Sequence, residues 1–379
     1  MRCSPRGSCW CEGSPSVSAG VGGLLDDLGA MRRFDQAGML AAIGGIPAQI
    51  GDAWQRTRGL ELPDSHRGLR SVALLGMGGS AIGGDLVHGI FADRLKAPLI
   101  VVRDYELPAW VDRDTLVVAS SYSGATEETI SALSTALERR CPVAVISTGG
   151  PLRDVARKAG LPLLDFPGAG QPRAAVGYSL TLLSGLLERA GLLDLQDDEI
   201  RAAVGAATAG VEASGPDTPS ERNPAKQLAW TLVDRLPVIE ASGPLVAVAR
   251  RWKTQLNENG KTMAVTEELP EATHNSVVGY AQPESIRDHL YVVFLATPSE
   301  HPRSRLRASL SAELLGAAQI GHQVVPVAGE GRLQQAVSGI VLGDYVSTYL
   351  AFLYGVDPSP VEAISYVKGR MSLPDEDDE

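Results

Sequence analysis

Residues 71–85 read SVALLGMGGSAIGGD. Ser71–Leu75 is apolar without alternation, the pattern of a parallel strand buried on both faces. Glycines then break the run and open a helix over 85–92. A strand feeding a glycine-rich turn at a helix start leaves backbone N–H groups free to point at an anion, with the helix dipole behind them. The turn is not a dinucleotide fingerprint. Gly76, Gly78 and Gly79 do not complete G-x-G-x-x-G, because the sixth position is Ala81, and the next strand ends in VVRD without the ribose-binding acid. By itself the loop reads nearly as well as a close-packed structural turn.

Outward from this unit the same alternation continues. A first helical pattern covers 31–54. Apolar runs at 99–102 (LIVV), 116–119 (LVVA), 143–146 (VAVI) and 161–164 read as further strands, each separated by helical or loop segments. Such spacing suits right-handed crossover units. A mostly helical stretch follows over 179–235, interrupted by the polar SGPDTPSERNP (214–224), which marks a junction. Beyond it the alternation restarts, with strands at 245–248 (LVAV), 291–295 (YVVFL) and 324–327 (VVPV) and a helix over 250–263. The expectation is an α/β fold of two doubly wound sandwich domains with mainly parallel sheets, 24–200 and 215–371. A disordered leader (1–23) would precede them and an acidic tail (372–379) would follow.

At 379 residues the chain is long for one hydrophobic core and comfortable for two. No uninterrupted apolar run reaches the roughly 20 residues of a membrane-spanning helix. The formal net charge of −11 argues against nucleic-acid or anionic-membrane partners, since Lys and Arg supply most of that affinity. A phosphate site would have to be built locally, from helix-start N–H groups, hydroxyls and a few placed cations. Cys3, Cys9 and Cys11 crowd the leader and Cys141 stands alone, so there is no disulfide framework and the cytoplasm is the expected compartment. The leader has no apolar stretch after its arginines and does not read as a secretory signal. Its cysteines lack a fourth zinc ligand, and the other histidines are scattered, so no metal or cofactor is expected.

Three segments carry candidate chemistry. SSYSGATEET (120–129) follows a strand and precedes a helix, with the hydroxyls of Ser121, Ser123 and Thr126 around one glycine. N-capping explains one of these hydroxyls, not all three, and the set suits a dianionic phosphate. In RWKTQLNENGKTM (251–263), Trp252, Leu256 and Met263 form the expected core stripe and Glu258 points away from it. Alone it reads as a solvated carboxylate, as His274 reads as an ordinary loop histidine. Together they offer a base and a second group for proton transfer beside a carbonyl. Arg173, in a Pro-headed turn entering an apolar helix, asks for an anionic partner. Lys368 reads as a snorkelling helix lysine, with Ile364 and Val367 marking the buried side.

Taken in order, GMGGSAIGGD, SYSGATEET, PRAAVGYSL, RWKTQLNENGK, LPEATHNSVVGY and DPSPVEAISYVKGRM resemble the bifunctional phosphoglucose/phosphomannose isomerases, which consist of two sugar isomerase (SIS) domains. The resemblance runs from about Leu24 to Met371. It implies reversible, metal-independent aldose–ketose isomerisation of a hexose 6-phosphate through a cis-enediol(ate). By the same resemblance Gly78, Gly79, Ser80, Ser121, Ser123 and Thr126 hold the phosphate, Glu258 shuttles the proton, Arg173 stabilises the intermediate, and His274 and Lys368 assist ring opening. It further implies a homodimer in which each His274 serves the neighbouring subunit. The sequence departs from the family pattern at Ala125, usually Asn, and at Val361, where some members carry a hydroxyl residue. The alternatives are a non-catalytic sugar-phosphate sensor and an amino-sugar phosphate isomerase of the same fold.

Overall fold

The computed structural model describes residues 23–371. The cysteine-bearing leader and the acidic tail lie outside the described residues. The single helix expected over 31–54 is three: α1 (Leu28–Phe34), α2 (Met39–Gly44) and α3 (Ile46–Arg58). The break has local causes. Gly38 turns at φ +74°, and the Asp35 carboxylate accepts the N–H groups of Met39 and Leu40 at 2.5 and 3.0 Å, starting a new helix. Pro47 then sits in the first turn of α3, where its missing N–H costs nothing.

The first sheet follows from β1 (Ser71–Leu75), α4 (Gly78–Phe91), β2 (Leu99–Val102), β3 (Thr115–Ser121), α5 (Glu127–Glu138), β4 (Val143–Ser147), α6 (Gly150–Ala159) and β5 (Leu163–Asp165). All pairs are parallel, in the order β2-β1-β3-β4-β5. Both faces are covered, as the uninterrupted apolar runs require. Val72 and Leu74 pack with Leu86 and Val87 of α4, while Ala73 and Leu75 pack with Leu133 of α5 and Leu152 of α6. Helix α4 begins at Gly78, not at 85, so most of the glycines lie inside it. A β-carbon on Gly83 would lie 2.9 Å from the Ser179 carbonyl oxygen, and one on Gly84 2.4 Å from Leu74. These glycines let α4 press against the sheet and against α7 (Val176–Arg189).

After α8 (Asp197–Ser214) the polar 214–224 segment forms a bonded knot. Asn223 caps α9 (Pro224–Thr231) by accepting two N–H groups at 3.0 Å, and the buried Lys226 ammonium donates to the carbonyls of Pro216 and Thr218. The second sheet is built from β6 (Leu236–Ser242), α10 (Val246–Glu258), β7 (Val265–Leu269), α11 (Ser276–Gly279), α12 (Glu284–Arg287), β8 (Leu290–Ala296), α13 (Pro302–Ala317) and β9 (Gly321–Pro326), followed by α14 (Arg332–Leu353) and α15 (Glu362–Met371). Its order is β7-β6-β8-β9, again all parallel.

Two sequence expectations fail here. LVAV (245–248) is not a strand. It opens α10, because Gly243 at φ +55° ends β6 and the following apolar residues run at helical spacing. Helix α10 ends at Glu258 rather than at 263, since Lys261 takes φ +53°, and Met263 is 70% exposed instead of lying on a core stripe. Edge strand β7 (VTEEL) went unanticipated because its polar residues hide the strand pattern. Among the described residues α14 alone is long and apolar enough to cross a membrane. It is packed within the fold against α8, α9 and α10, and one apolar core joins Val72 of the first sheet to Ile239 and Val293 of the second.

Candidate active site

In the order β2-β1-β3-β4-β5 the topology switches direction between β1 and β3, and ligands of open α/β sheets bind outside the carboxyl ends of the strands at such a point. The segments leaving β1 and β3 there are 76–80, which includes the first residues of α4, and 121–126, which starts on the last residue of β3. The Ser80 hydroxyl accepts the Tyr122 N–H at 3.0 Å, joining them. Ser121 Oγ and Thr126 Oγ1 are 2.8 Å apart, and Ser121 Oγ also accepts the Gly124 N–H at 3.0 Å. Ser123 Oγ accepts the Ala125 N–H at 3.2 Å. Thr126 precedes α5 but makes no side-chain cap, so capping does not account for these hydroxyls. Gly78 and Gly79 open α4 behind an uncapped Met77, and first-turn N–H groups have no partner within their own helix. Two helix starts therefore meet in a hydroxyl-lined loop pair suited to an anion.

The shape of the second loop depends on a glycine pair that sequence reading passed over. Gly124 has φ +68°, and a β-carbon there would lie 1.8 Å from the Gly149 carbonyl oxygen. One on Gly150, also at φ +68°, would lie 2.3 Å from the Ser123 carbonyl oxygen. The available signal was STGG (147–150) directly after a strand, the same punctuation as after β1.

Arg173 lies beside this loop pair. A β-carbon on Gly79 would sit 3.0 Å from Pro172 and 3.2 Å from the Arg173 nitrogen, so the start of α4 and the Pro172–Ala175 turn are in close contact. Arg173 is buried, at 3% exposure. Its Nε donates to Asn259 Oδ1 at 2.6 Å, and Nη2 donates to the carbonyls of Pro358 and Ser359, both at 2.8 Å. Its Nη1 faces Glu258 Oε2 at 3.4 Å. Burial lowers the Arg173 pKa from the ordinary arginine range and the Glu258 carboxylate pulls it back up; the guanidinium stays charged. Glu258 ends α10 with its side chain 28% exposed, so the carboxylate is held by a buried cation on one side and open on the other.

Two comparisons bear on the whole chain. It is 38% identical to the bifunctional phosphoglucose/phosphomannose isomerase of Caldicellulosiruptor bescii over 335 residues, 88% of this chain and 99% of that protein. It is 33% identical to the protein of the same name from Aquifex aeolicus, over 80% of this chain and 90% of that one. The chain belongs to the bifunctional phosphoglucose/phosphomannose isomerase family. Residues 221–371 match the family described as the bacterial phospho-glucose isomerase C-terminal SIS domain. The fold is also that of a glucose-6-phosphate isomerase-like protein from Thermus thermophilus, with a TM-score of 0.61 at 22% identity over 89% of this chain and 98% of that one.

In this member of the isomerase family, Gly78, Gly79, Ser80, Ser121, Ser123, Thr126, Arg173 and Glu258 lie on adjoining segments: Ser80 bonds Tyr122, Ser121 pairs with Thr126, Gly79 abuts the Pro172–Arg173 turn, and Arg173 faces Glu258. His274 is exposed at the end of the Glu271–His274 turn after β7, and among the described residues it makes no hydrogen bond to Arg173 or Glu258. Lys368 lies on α15, and among the described residues no side chain of that helix is buried. Ile364 and Val367 are 42% and 54% exposed, not the buried side expected of them.

Three supporting side chains also escaped sequence reading. Lys261 donates to the carbonyls of Glu258, Pro358 and Pro360 at 2.5, 3.0 and 2.6 Å, so with Arg173 it clamps the loop that leads into α15. Burial and the neighbouring Arg173 lower its pKa. Arg251 is buried behind Arg173. It pairs with Asp344 at 2.6 and 3.0 Å and donates to the Arg173 carbonyl at 2.8 Å. A cavity of about 660 Å³ lies elsewhere, beside the carboxyl end of β6. Its Arg250 is paired with Asp85 and Glu268, and none of those eight residues lines it.

Proposed function

We propose that the chain interconverts hexose 6-phosphate aldoses and fructose 6-phosphate by moving a proton between C1 and C2. The observation that carries this reading is the Glu258–Arg173 pair beside the two hydroxyl-rich loops. In the proposed reaction the N–H groups of Gly78 and Gly79 and the hydroxyls of Ser80, Ser121, Ser123 and Thr126 hold the phosphate. Glu258 takes the C2 proton of the open-chain aldose, leaving an enediolate; the hydroxyl proton passes from O2 to O1, and Glu258 returns its proton to C1 to give the ketose. Arg173 offsets the negative charge that develops on the enediolate oxygens. C2 is planar in that intermediate, so glucose 6-phosphate and mannose 6-phosphate converge on one species. The chain's own side chains provide both the base and the electrostatic stabilisation in this scheme.

The reading extends to a homodimer of the cytoplasm with SIS domains over 24–200 and 215–371. His274 would reach the site of the neighbouring subunit, and with Lys368 would move protons to and from the ring oxygen during opening and closure. The exposure of His274, which among the described residues makes no hydrogen bond to Glu258, supports donation across an interface. The test is incubation of purified protein with fructose 6-phosphate, following the two aldose products separately. Both should form. Formation of neither would reject the reading.

A further inference from the structure

Glu240 lies on β6 with 1% exposure, an unusual place for a carboxyl group. Its register partner on edge strand β7 is another carboxylate, Glu267. In-register residues of adjacent parallel strands share a face and lie about 4.8 Å apart, so the two acids stand side by side. Its partner on β8 is the apolar Phe294. Over the same face sit α13, with buried Ser311 and Leu315, and Tyr280, whose ring packs against the cluster of Val238, Phe294 and Leu315. Among the described residues no lysine, arginine or histidine forms an ion pair with Glu240. The buried Tyr280 hydroxyl faces the Glu240 carboxyl, close enough to favour its charged form but outside the geometry of a well-formed hydrogen bond.

A buried carboxylate beside a second carboxylate, with no cation, holds a proton rather than two negative charges. Tyr280 ends the segment 270–280 that bears His274. Arg307 of α13 also holds that segment, donating to the Thr273 hydroxyl at 2.5 Å, and Ala272 is buried within it. We propose that Glu240 is a positioning residue, which as a neutral acid beside Glu267 and beneath Tyr280 holds down the segment that presents His274. This rests on the role given to His274 above, but the anchoring itself does not.

Burial, then Glu267, raises the Glu240 pKa from 4.5 to about 7, while Tyr280 opposes the shift. The sign follows from linkage. The folded segment prefers the protonated acid, so the anchor is at full strength below the unfolded pKa and weakens as pH rises towards 7. Once Glu240 is ionised in both states, further rise in pH changes nothing.

Hydrogen–deuterium exchange of the 270–280 peptide, corrected for the intrinsic pH dependence of amide exchange, tests this on the full-length protein between pH 5 and 8. Opening should increase by at least about tenfold between pH 5 and 7 and then level off. Glu240→Gln should be flat over the same range. Glu267→Gln should show a smaller rise that levels off at lower pH, and it serves if Glu240→Gln fails to fold. His274→Ala should behave as wild type. Exchange at the intrinsic rate alone in wild type, or a full rise in either glutamate variant, would overturn the proposal. An inactive role for His274 would leave the exchange result standing, so the two failures are distinguishable.

Discussion

Arg173 and Glu258 are 85 positions apart in sequence, yet the guanidinium and carboxylate face each other at 3.4 Å. Arg173 enters from the turn before α7 and Glu258 from the last residue of α10, so the pair forms only where the two halves of the chain pack together. Three carbonyl and amide oxygens fix the guanidinium by its other nitrogens, which sets its position independently of Glu258. A charge held in place before substrate arrives needs no reorganisation when the enediolate forms.

The buried Arg251–Asp344 pair supports this arrangement from behind. Asp344→Asn would leave the Arg251 cation without its counter-ion in the core, a change that costs about 3–5 kcal/mol. Denaturant unfolding should show a loss of that order, and Arg173 function should fall with it.

The 121–126 loop makes a sharper geometric demand. Gly124→Ala would place a methyl group 1.8 Å from the Gly149 carbonyl oxygen at a positive φ that alanine disfavours. We expect a loss of about 3 kcal/mol or failure to fold. The same substitution at Gly78, where the space around the β-carbon is open, should cost less because only its φ of +48° opposes it.

Thr126→Val keeps the shape of the loop and removes its bond to Ser121. KM for hexose 6-phosphate should rise by about tenfold or more, as expected for losing a hydroxyl that bonds a charged group, with kcat changing less. Steady-state kinetics separate the two parameters. An unchanged KM would remove Thr126 from the phosphate site.

A histidine donated across a dimer predicts complementation. His274→Ala and Glu258→Gln should each be inactive alone. Mixed after dissociation and reassociation at equal amounts, they should recover up to about a quarter of wild-type activity, because half of the dimers are mixed and each mixed dimer has one intact site. No recovery in verified mixed dimers would place His274 in its own chain's site.

The strands of the first sheet and the first loop were readable because buried parallel strands are continuous apolar runs and glycine marks their ends; the strand order was not. That logic failed at 245–248, where LVAV is equally consistent with a buried helix, as short apolar runs are. It failed again at β7, whose two glutamates and threonine carry no apolar pattern. Glu258 and Arg173 were visible as candidates, but their pairing was not, since nothing local links residues joined only by tertiary packing. Lys261 and Arg251 stayed hidden because an ordinary basic residue in a helix or turn reads as solvated, and only the structure gives their carbonyl and carboxylate partners. The α15 stripe misled for the opposite reason: helical spacing marks an apolar face without saying what covers it.

The central claim is that Glu258 moves the proton, and solvent exchange measures this directly. With fructose 6-phosphate in D₂O, the wild-type protein should form aldose 6-phosphates carrying deuterium at C2. Glu258→Gln should bind the ketose with similar affinity, yet convert and label it at least about 10²-fold more slowly, the range for loss of a general base. Conversion and labelling by Glu258→Gln within tenfold of wild type would contradict the account.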